Sequence, residues 1–414
     1  MTAARVSDGP PPAPLGPGPG DVASGSHGVG QASLRDRNLS VVASLAFASP
    51  EPVSRAALAA ASGLTRSTVS RLVDTLLAGG VLRELPRQVV GRGRPATPLA
   101  PARGTLAALG LEVSPSYLGA RLVDLSGAVL AERVEPDHLE ASDPADVLGR
   151  LALLTEELLG ESADTFTELV GVRLAIPGLV DRSGRVLRAP NLGWRDVTVA
   201  QYLPGLPRLA LANEADLAAL GHALAAPGRP AESGTFFYIS ADIGIGGTYV
   251  VDGTPVVGRH GWAGEIGHTL VDPTGPRCTC GAVGCLEQYA GRDAVLAAAG
   301  LPPDSPADVL VAAAAEPGPA RDAVLRAGRA LGTALANVVN ILDVDDVVLG
   351  GQLIDFLPVL RGPLEEELRE RVLATPWLDV AIRPGRGGQP ALTGGAYTVL
   401  ADVVADPGAW LAAA

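Results

Sequence analysis

Apolar positions recur along this chain with two periods, and the switch between them separates a short helical head from a long body of alternating strands and helices. From Leu34 to about Ala48 the period is helical, and Pro50 and Pro52 end it. Ser54 fits an N-cap, with Ala57, Leu58 and Ala61 behind it and Gly63 as the stop. Thr65 caps a second helix, and Leu64 and Val69 take the two places of a hydrophobic staple. Val69, Leu72, Val73, Leu76 and Leu77 then share one apolar face. Arg66, Ser67, Thr68, Ser70 and Arg71 are left near the helix start or away from that face. Gly79-Gly80 close the helix, Val81–Leu85 reads as a strand, and a second strand returns near Ala96–Leu99. Two helices on a tight glycine turn, followed by a two-stranded wing, predict a winged helix-turn-helix over residues 31–100. The competing reading is an ordinary helical hairpin with a solvated arginine face.

In the body, Leu106–Glu112, Tyr117–Asp124 and Val170–Ile176 read as strands, and a helix covers about Ala145–Leu159. Leu209–Asn213 is a short strand that delivers Asn213 and Glu214 to a helix running to about Ala225. Asn191-Leu192-Gly193-Trp194 reads as a loop, and Pro227–Ser233 as a hinge or surface loop. Thr235–Ser240 is a strand feeding Asp242-Ile243-Gly244-Ile245-Gly246-Gly247. Helices follow near Arg292–Ala299, Ala320–Leu342, Phe356–Ala374 and Ala391–Val404, with an apolar strand at Val347–Leu349. This alternation argues an α/β domain over residues 105–414, two-lobed, with its ligand between the lobes. No short internal repeat at a fixed period is visible. Residues 1–30, rich in Pro, Gly, Ser and Ala, read as a disordered tail.

Charge sharpens the division. All 32 basic residues are arginine. Residues 31–100 hold nine Arg against four acidic residues, while the whole chain carries a formal net charge of −13. A basic head on an acidic body suits DNA binding by the head alone. Between the wing strands, Arg92 and Arg94 stand in Gly91-Arg92-Gly93-Arg94-Pro95, a basic tip suited to phosphates or the minor groove. No apolar run of membrane-spanning length and no signal-peptide pattern occurs, so a cytoplasmic protein with no membrane partner is expected.

All three cysteines, Cys278, Cys280 and Cys285, fall in one glycine-rich loop, ten residues after His268. One imidazole and three thiolates make a tetrahedral zinc set, and with no spare soft ligand the Zn²⁺ would be structural rather than hydrolytic. The loop would then run over residues 265–288. The alternative is three unrelated buried cysteines.

The stretch Gly264-Glu265-Ile266-Gly267-His268, followed by Cys278-x-Cys280-Gly281-x2-Gly284-Cys285-Leu286-Glu287, resembles the signature of the ROK family of sugar kinases and sugar-responsive repressors. The resemblance implies an actin/hexokinase-like α/β domain of two lobes. It also implies a sugar held by the Asn213-Glu214 pair, by Glu265 and His268, and by Glu287 after Cys285-Leu286. Without it, each carboxylate reads more often as a surface charge. Two departures bear on catalysis. The family's kinases carry a glycine-rich Asp-x-Gly-Gly-Thr phosphate loop, where this chain has Glu112-Val113-Ser114-Pro115-Ser116. Their catalytic Asp is here Glu214. The doublets Gly246-Gly247 and Gly350-Gly351 read as structural turns. The expectation is a homodimeric, or dimer-of-dimers, repressor of a palindromic DNA operator, responsive to a sugar and catalytically inactive. The competing expectations are a ROK sugar kinase with an accessory DNA-binding head, and a regulator controlled by a partner protein.

Overall fold

A computed structural model describes residues 31–86, 97–231 and 234–413. The expected tail over residues 1–30 and the wing-tip arginines Arg92 and Arg94 lie outside the described residues. The head comprises α1 (Gln31–Ala48), α2 (Arg55–Ser62) and α3 (Arg66–Ala78), then β1 (Leu82–Glu84) paired antiparallel with β2 (Leu99–Pro101). Both expected caps form: Ser54 accepts from the Ala57 N–H and Thr65 from the Thr68 N–H. Gly63 adopts the left-handed conformation that ends α2. The returning strand begins at Leu99 rather than ending there, and Leu99 also bridges to Val53.

The first lobe opens with the meander β3 (Leu106–Ser114), β4 (Tyr117–Asp124) and β5 (Val129–Pro136). Then come α4 (Pro144–Glu161) and β6 (Glu168–Ile176). A small sheet of β7 (Leu179–Val180), β8 (Arg185–Ala189) and β9 (Trp194–Thr198) leads to β10 (Ala210–Asn213) and α5 (Glu214–Ala223). The main sheet has the order β10-β6-β3-β4-β5, its first three strands parallel. A short ribbon, β11 (Leu224–Ala226) with β12 (Arg229–Pro230), connects onward where a hinge or loop was expected.

The second lobe repeats that plan. Its meander is β13 (Phe236–Ala241), β14 (Ile245–Val251) and β15 (Thr254–Pro255). After the cysteine loop come α6 (Glu287–Ala290), α7 (Arg292–Ala299), α8 (Ala307–Ala314) and α9 (Pro319–Leu342). Strand β16 (Asp346–Gly351), α10 (Leu353–Arg371) and β17 (Ala381–Pro384) complete a sheet ordered β15-β14-β13-β16-β17. In each lobe three antiparallel strands continue into two parallel ones, a duplication with no periodicity in the sequence. Both glycine doublets lie in strands, not turns. Gly246 and Gly247 pair with Ser240 and Ile239, and a Cβ at Gly350 would sit 2.0 Å from the Tyr238 hydroxyl.

The chain ends by returning to the first lobe as α11 (Pro390–Ala405), which packs on α5, β3 and β6, and then α12 (Pro407–Ala413). One apolar cluster joins head and body: Leu39, Val42 and Phe47 of α1 share a core with Leu400, Val403 and Val404 of α11 and with Trp410. Arg208 lies 4.4 Å over the Trp410 ring and secures the end of the chain. Among the described residues no helix is long and apolar enough to cross a membrane.

Candidate functional site

In the head, Val69, Leu72, Val73 and Leu76 bury the inner face of α3, which turns Arg66, Ser67 and Arg71 outward. Neither Arg66 nor Arg71 has an ion-pair partner among the described residues. Arg55 has a different task, bonding Asp74 at 2.9 Å and Glu84 at 3.0 Å, so that it ties α2 to α3 and to β1. Ser70 is half-buried. Thr68 also differs from the expected readers: its hydroxyl lies 2.8 Å from the Thr65 hydroxyl and belongs to the cap.

The cysteine loop is drawn closed by two isolated bridges, Leu270 with Cys285 and Arg277 with Val283. The donor atoms of His268, Cys278, Cys280 and Cys285 all lie within 4.8 Å of one another. His268 Nδ1 is 3.7 Å from Cys278 Sγ, and Cys280 Sγ is 3.7 Å from Cys285 Sγ. Tetrahedral sulfur ligands at the usual metal distance stand about 3.8 Å apart, so the spacing suits a metal. Burial first, then the neighbouring thiols, pushes the Cys285 thiol up to about 12. A bound cation is what would relieve three crowded thiolates.

Between the lobes lies a cavity of about 560 Å³, bounded by the carboxyl ends of β3, β6, β10, β13 and β16. Ligand crevices of α/β sheets form at such strand ends. All five residues expected to hold a sugar line it. Asn213 is fixed twice, donating to the Gly178 carbonyl at 3.1 Å and capping α5 through the Ala215 N–H at 2.8 Å. Glu214 follows in the first turn of α5, and its buried Oε2 has no hydrogen-bond partner among the described residues. Burial, then the charges of Glu265, Glu112 and Asp216, holds its carboxyl well above the ordinary range.

A single 3-10 turn, Ile266–His268, brings Glu265 and His268 together, with Glu265 Oε2 4.0 Å from His268 Nε2. The imidazole thus turns Nδ1 to the cysteines and Nε2 to the cleft, which links the two sites through one ring. Glu287 accepts from the Ile245 N–H at 3.2 Å. A Cβ at Gly244 would lie 2.8 Å from Glu287 Oε2 and 2.2 Å from Asn191 Nδ2, so only glycine lets these groups converge.

Several cleft residues escaped the sequence reading. Asn191 stood in a segment read as a plain loop and gave no signal of its own. Glu112 and Asp242 did give one, a carboxylate at the end of an apolar strand. Asp242 accepts from Ser116 Oγ at 2.6 Å, Ser114 Oγ at 3.4 Å and Gln352 Nε2 at 3.1 Å, which joins the lobes. The β3–β4 turn therefore presents hydroxyls already spoken for, around Pro115, which has no N–H. Glu112 is buried, and desolvation raises its carboxyl to about 7 against the opposing Tyr117 hydrogen bond.

The chain is similar along most of its length to regulators. It is 27% identical over 356 residues to the xylose repressor of Bacillus subtilis, covering 85% of this chain and 91% of that protein. A crystal structure of a ROK family transcriptional regulator, homologous to the Escherichia coli Mlc protein, superposes with a TM-score of 0.74. It is 28% identical and covers 90% of this chain and 97% of its own. A ROK hexokinase from Thermus thermophilus, also 28% identical, superposes with a TM-score of 0.58 over 72% of this chain and 99% of its own. The IclR helix-turn-helix domain matches residues 36–86. With the ROK family pattern matched over residues 109–402, well over half its length, the chain belongs to the ROK family and carries an IclR-type helix-turn-helix ahead of the ROK domain.

Proposed function

We propose that this chain is a sugar-responsive DNA-binding repressor whose effector domain, built like a sugar kinase, binds its sugar without phosphorylating it. Residues 31–100 read DNA as a dimer on a palindromic operator, with Arg66, Ser67, Ser70 and Arg71 at base edges. Thr68 acts indirectly, through the cap. Arg92 and Arg94 contact the backbone or minor groove. In the cleft, Asn213, Glu214, Glu265, His268 and Glu287 hold sugar hydroxyls by paired donors and acceptors of fixed geometry. One Zn²⁺ held by His268, Cys278, Cys280 and Cys285 keeps Glu265 and Glu287 in place. It is structural, since its four positions are filled by protein atoms.

The observation that carries this reading is the bond from Ser116 to Asp242, at 2.6 Å, beside the turn that replaces a glycine cradle. Phosphoryl transfer depends almost wholly on positioning phosphates by backbone N–H groups and cations. Here a carboxylate occupies that region and consumes its hydroxyl donors. Sugar binding reaches the head through α11, whose first residues border the cleft and whose last turns enter the head core. A coupling of about 1–3 kcal/mol is ordinary for such a link.

The test pairs two assays on the zinc-loaded full chain. Fluorescence anisotropy follows operator binding with and without xylose, glucose and N-acetylglucosamine, and a coupled assay follows ADP release at saturating Mg-ATP. A sugar that changes operator affinity without releasing ADP is the expected result. Sugar-dependent turnover of about 1–100 s⁻¹, ordinary for kinases, overturns it.

A further inference from the structure

The three cysteines of the loop are not equivalent. Cys278 and Cys285 are buried, 6% and 1% exposed, whereas Cys280 is half-exposed and alone of the three lines the cavity between the lobes. A small solute entering the cavity therefore reaches the Cys280 residue and neither of the others. Arg188 of β8 extends from the first lobe and donates to the Thr279 and Cys280 carbonyls at 3.5 and 3.2 Å, which places a fixed positive charge at Cys280. Partial exposure beside a guanidinium is the setting of a reactive thiol, not of an inert buried one. Cys278 is enclosed instead, its Sγ 3.7 Å from His268 Nδ1 and 3.9 Å from Glu287 Oε1. Cys285 Sγ stands 3.7 Å from Cys280 Sγ. Metal geometry by itself accounts for that spacing, but it does not account for the exposure of one ligand to the cleft. The segment between the two sulfurs turns on Gly281 and Gly284, at φ +101° and +73°, and Gly281 faces open space.

From this we infer that Cys280 is an oxidation site, at which a hydroperoxide entering the cleft joins Cys280 to Cys285 and empties the loop of its metal. The Cys280 thiolate attacks one peroxide oxygen, the O–O bond breaks, and hydroxide leaves and takes a solvent proton, giving a sulfenic acid and water. The Cys285 thiolate then attacks that sulfur, the S–O bond breaks, and a second hydroxide leaves and is protonated as the disulfide forms. The two cysteines give up two electrons and the peroxide accepts them. Only His268 and Cys278 then remain for a cation, too few for a tetrahedral set. The turn that carries Glu265 and His268 loses its anchor, so an oxidant acts on the cleft through the loop that braces it. The loss of metal rests on the zinc reading above, whereas the joining of the two thiols does not.

Hydrogen peroxide added to the zinc-loaded full chain tests it, with zinc release followed by a chromogenic chelator and the thiols mapped by tandem mass spectrometry. Cleavage after arginine leaves all three cysteines in one peptide, residues 278–292, so the thiol still open to iodoacetamide identifies the oxidised pair. The peptide should lose two hydrogens, about 2 Da, and carry the label on Cys278. Zinc should be released in step with that loss, and a dithiol reductant with added zinc should reverse both. Arg188→Met, checked by thermal melting, should release zinc at least about three-fold more slowly. A label on Cys280 or Cys285 overturns the assigned pair, and zinc retained with all three thiols intact overturns the site. Equal rates in folded Arg188→Met overturn the special reactivity given to Cys280. A chain that holds no zinc after zinc loading removes the metal reading, and the position of the label then decides the thiol pair by itself.

Discussion

In the head, the groups that shape α3 lie beside it in the sequence: Thr65 caps it, Leu64 precedes the cap, and Val69 to Leu76 bury one face. The cleft is assembled otherwise, from Glu112, Asn191, Asn213, Asp242, Glu265 and Gln352, contributed by segments of both lobes. A locally specified element tolerates change elsewhere, whereas a cleft built at strand ends fails when any supporting segment moves. The two are nevertheless not independent, because α1 and α11 share one apolar core. Four experiments separate what is local from what is shared.

The largest effect should come from the metal loop. Cys285→Ser, or exhaustive chelation, removes a binding energy that in structural zinc sites reaches about 10 kcal/mol. Sugar binding in calorimetry should disappear, while the head retains operator affinity in anisotropy. Elemental analysis should give one zinc per wild-type chain. Less than half an equivalent, or full sugar affinity in the variant, contradicts the role given to the loop.

Leu400→Ala strikes the shared core. The side chain is fully buried against the head cluster, so truncation should cost about 2–5 kcal/mol in chemical denaturation. It should also weaken the response of operator binding to sugar. A variant that loses stability but responds fully would mean that α11 does not connect the two regions.

Arg71→Ala is the local counterpart. Loss of a bidentate contact to a base costs about 1–3 kcal/mol of operator affinity and relaxes selectivity at one position. Calorimetric sugar binding should be untouched. Unchanged selectivity in a binding-site selection experiment would remove Arg71 from the reading surface.

The smallest effect concerns Glu112. The fold favours its protonated form, with the carboxyl raised from 4.5 to about 7. Its contribution to stability is thus complete below the ordinary carboxylate pKa and is lost as pH rises through about 7. Glu112→Gln should melt higher than wild type at about pH 8 and close to it at about pH 5. Equal melting temperatures across that range would argue against the burial invoked for this carboxyl.

The same contrast explains what the sequence disclosed. Caps, staple and apolar face are local codes, so α2 and α3 were readable to within a residue or two. The metal loop was readable because its four donors fall within one short stretch. Asn213, Glu214, Glu265, His268 and Glu287 could be named through family resemblance, and the fold does gather them in one cavity. Asp242 and Glu112 offered only a carboxylate at a strand end: the role of Asp242 lies in hydrogen bonds from Ser114 and Ser116, far away in sequence, and that of Glu112 in a burial that no local pattern encodes. Glycine pairs misled for a related reason. Gly247 and Gly350 are small because Ile266 and the Tyr238 ring press against their strands, a tertiary demand that looks like a turn signal in one dimension. The repeated sheet order left no trace, since matching topology needs only matching burial, not matching residues.

Helix α11 has one more consequence, and it is mechanical. A Cβ on Gly110 would lie 1.9 Å from the Leu392 carbonyl oxygen, and one on Gly394 would lie 1.8 Å from that of Leu217. The helix is packed backbone-to-backbone against β3 and α5. Head, first lobe and α11 are therefore one packed lever arm. On such a lever a small change of angle at the cleft becomes a displacement of α3 at the far end. If the chain acts as the dimer proposed above, that displacement would be read against half-sites separated by one turn of DNA, about 34 Å, and the operator spacing it tolerates would be a ruler for the opening of its cleft.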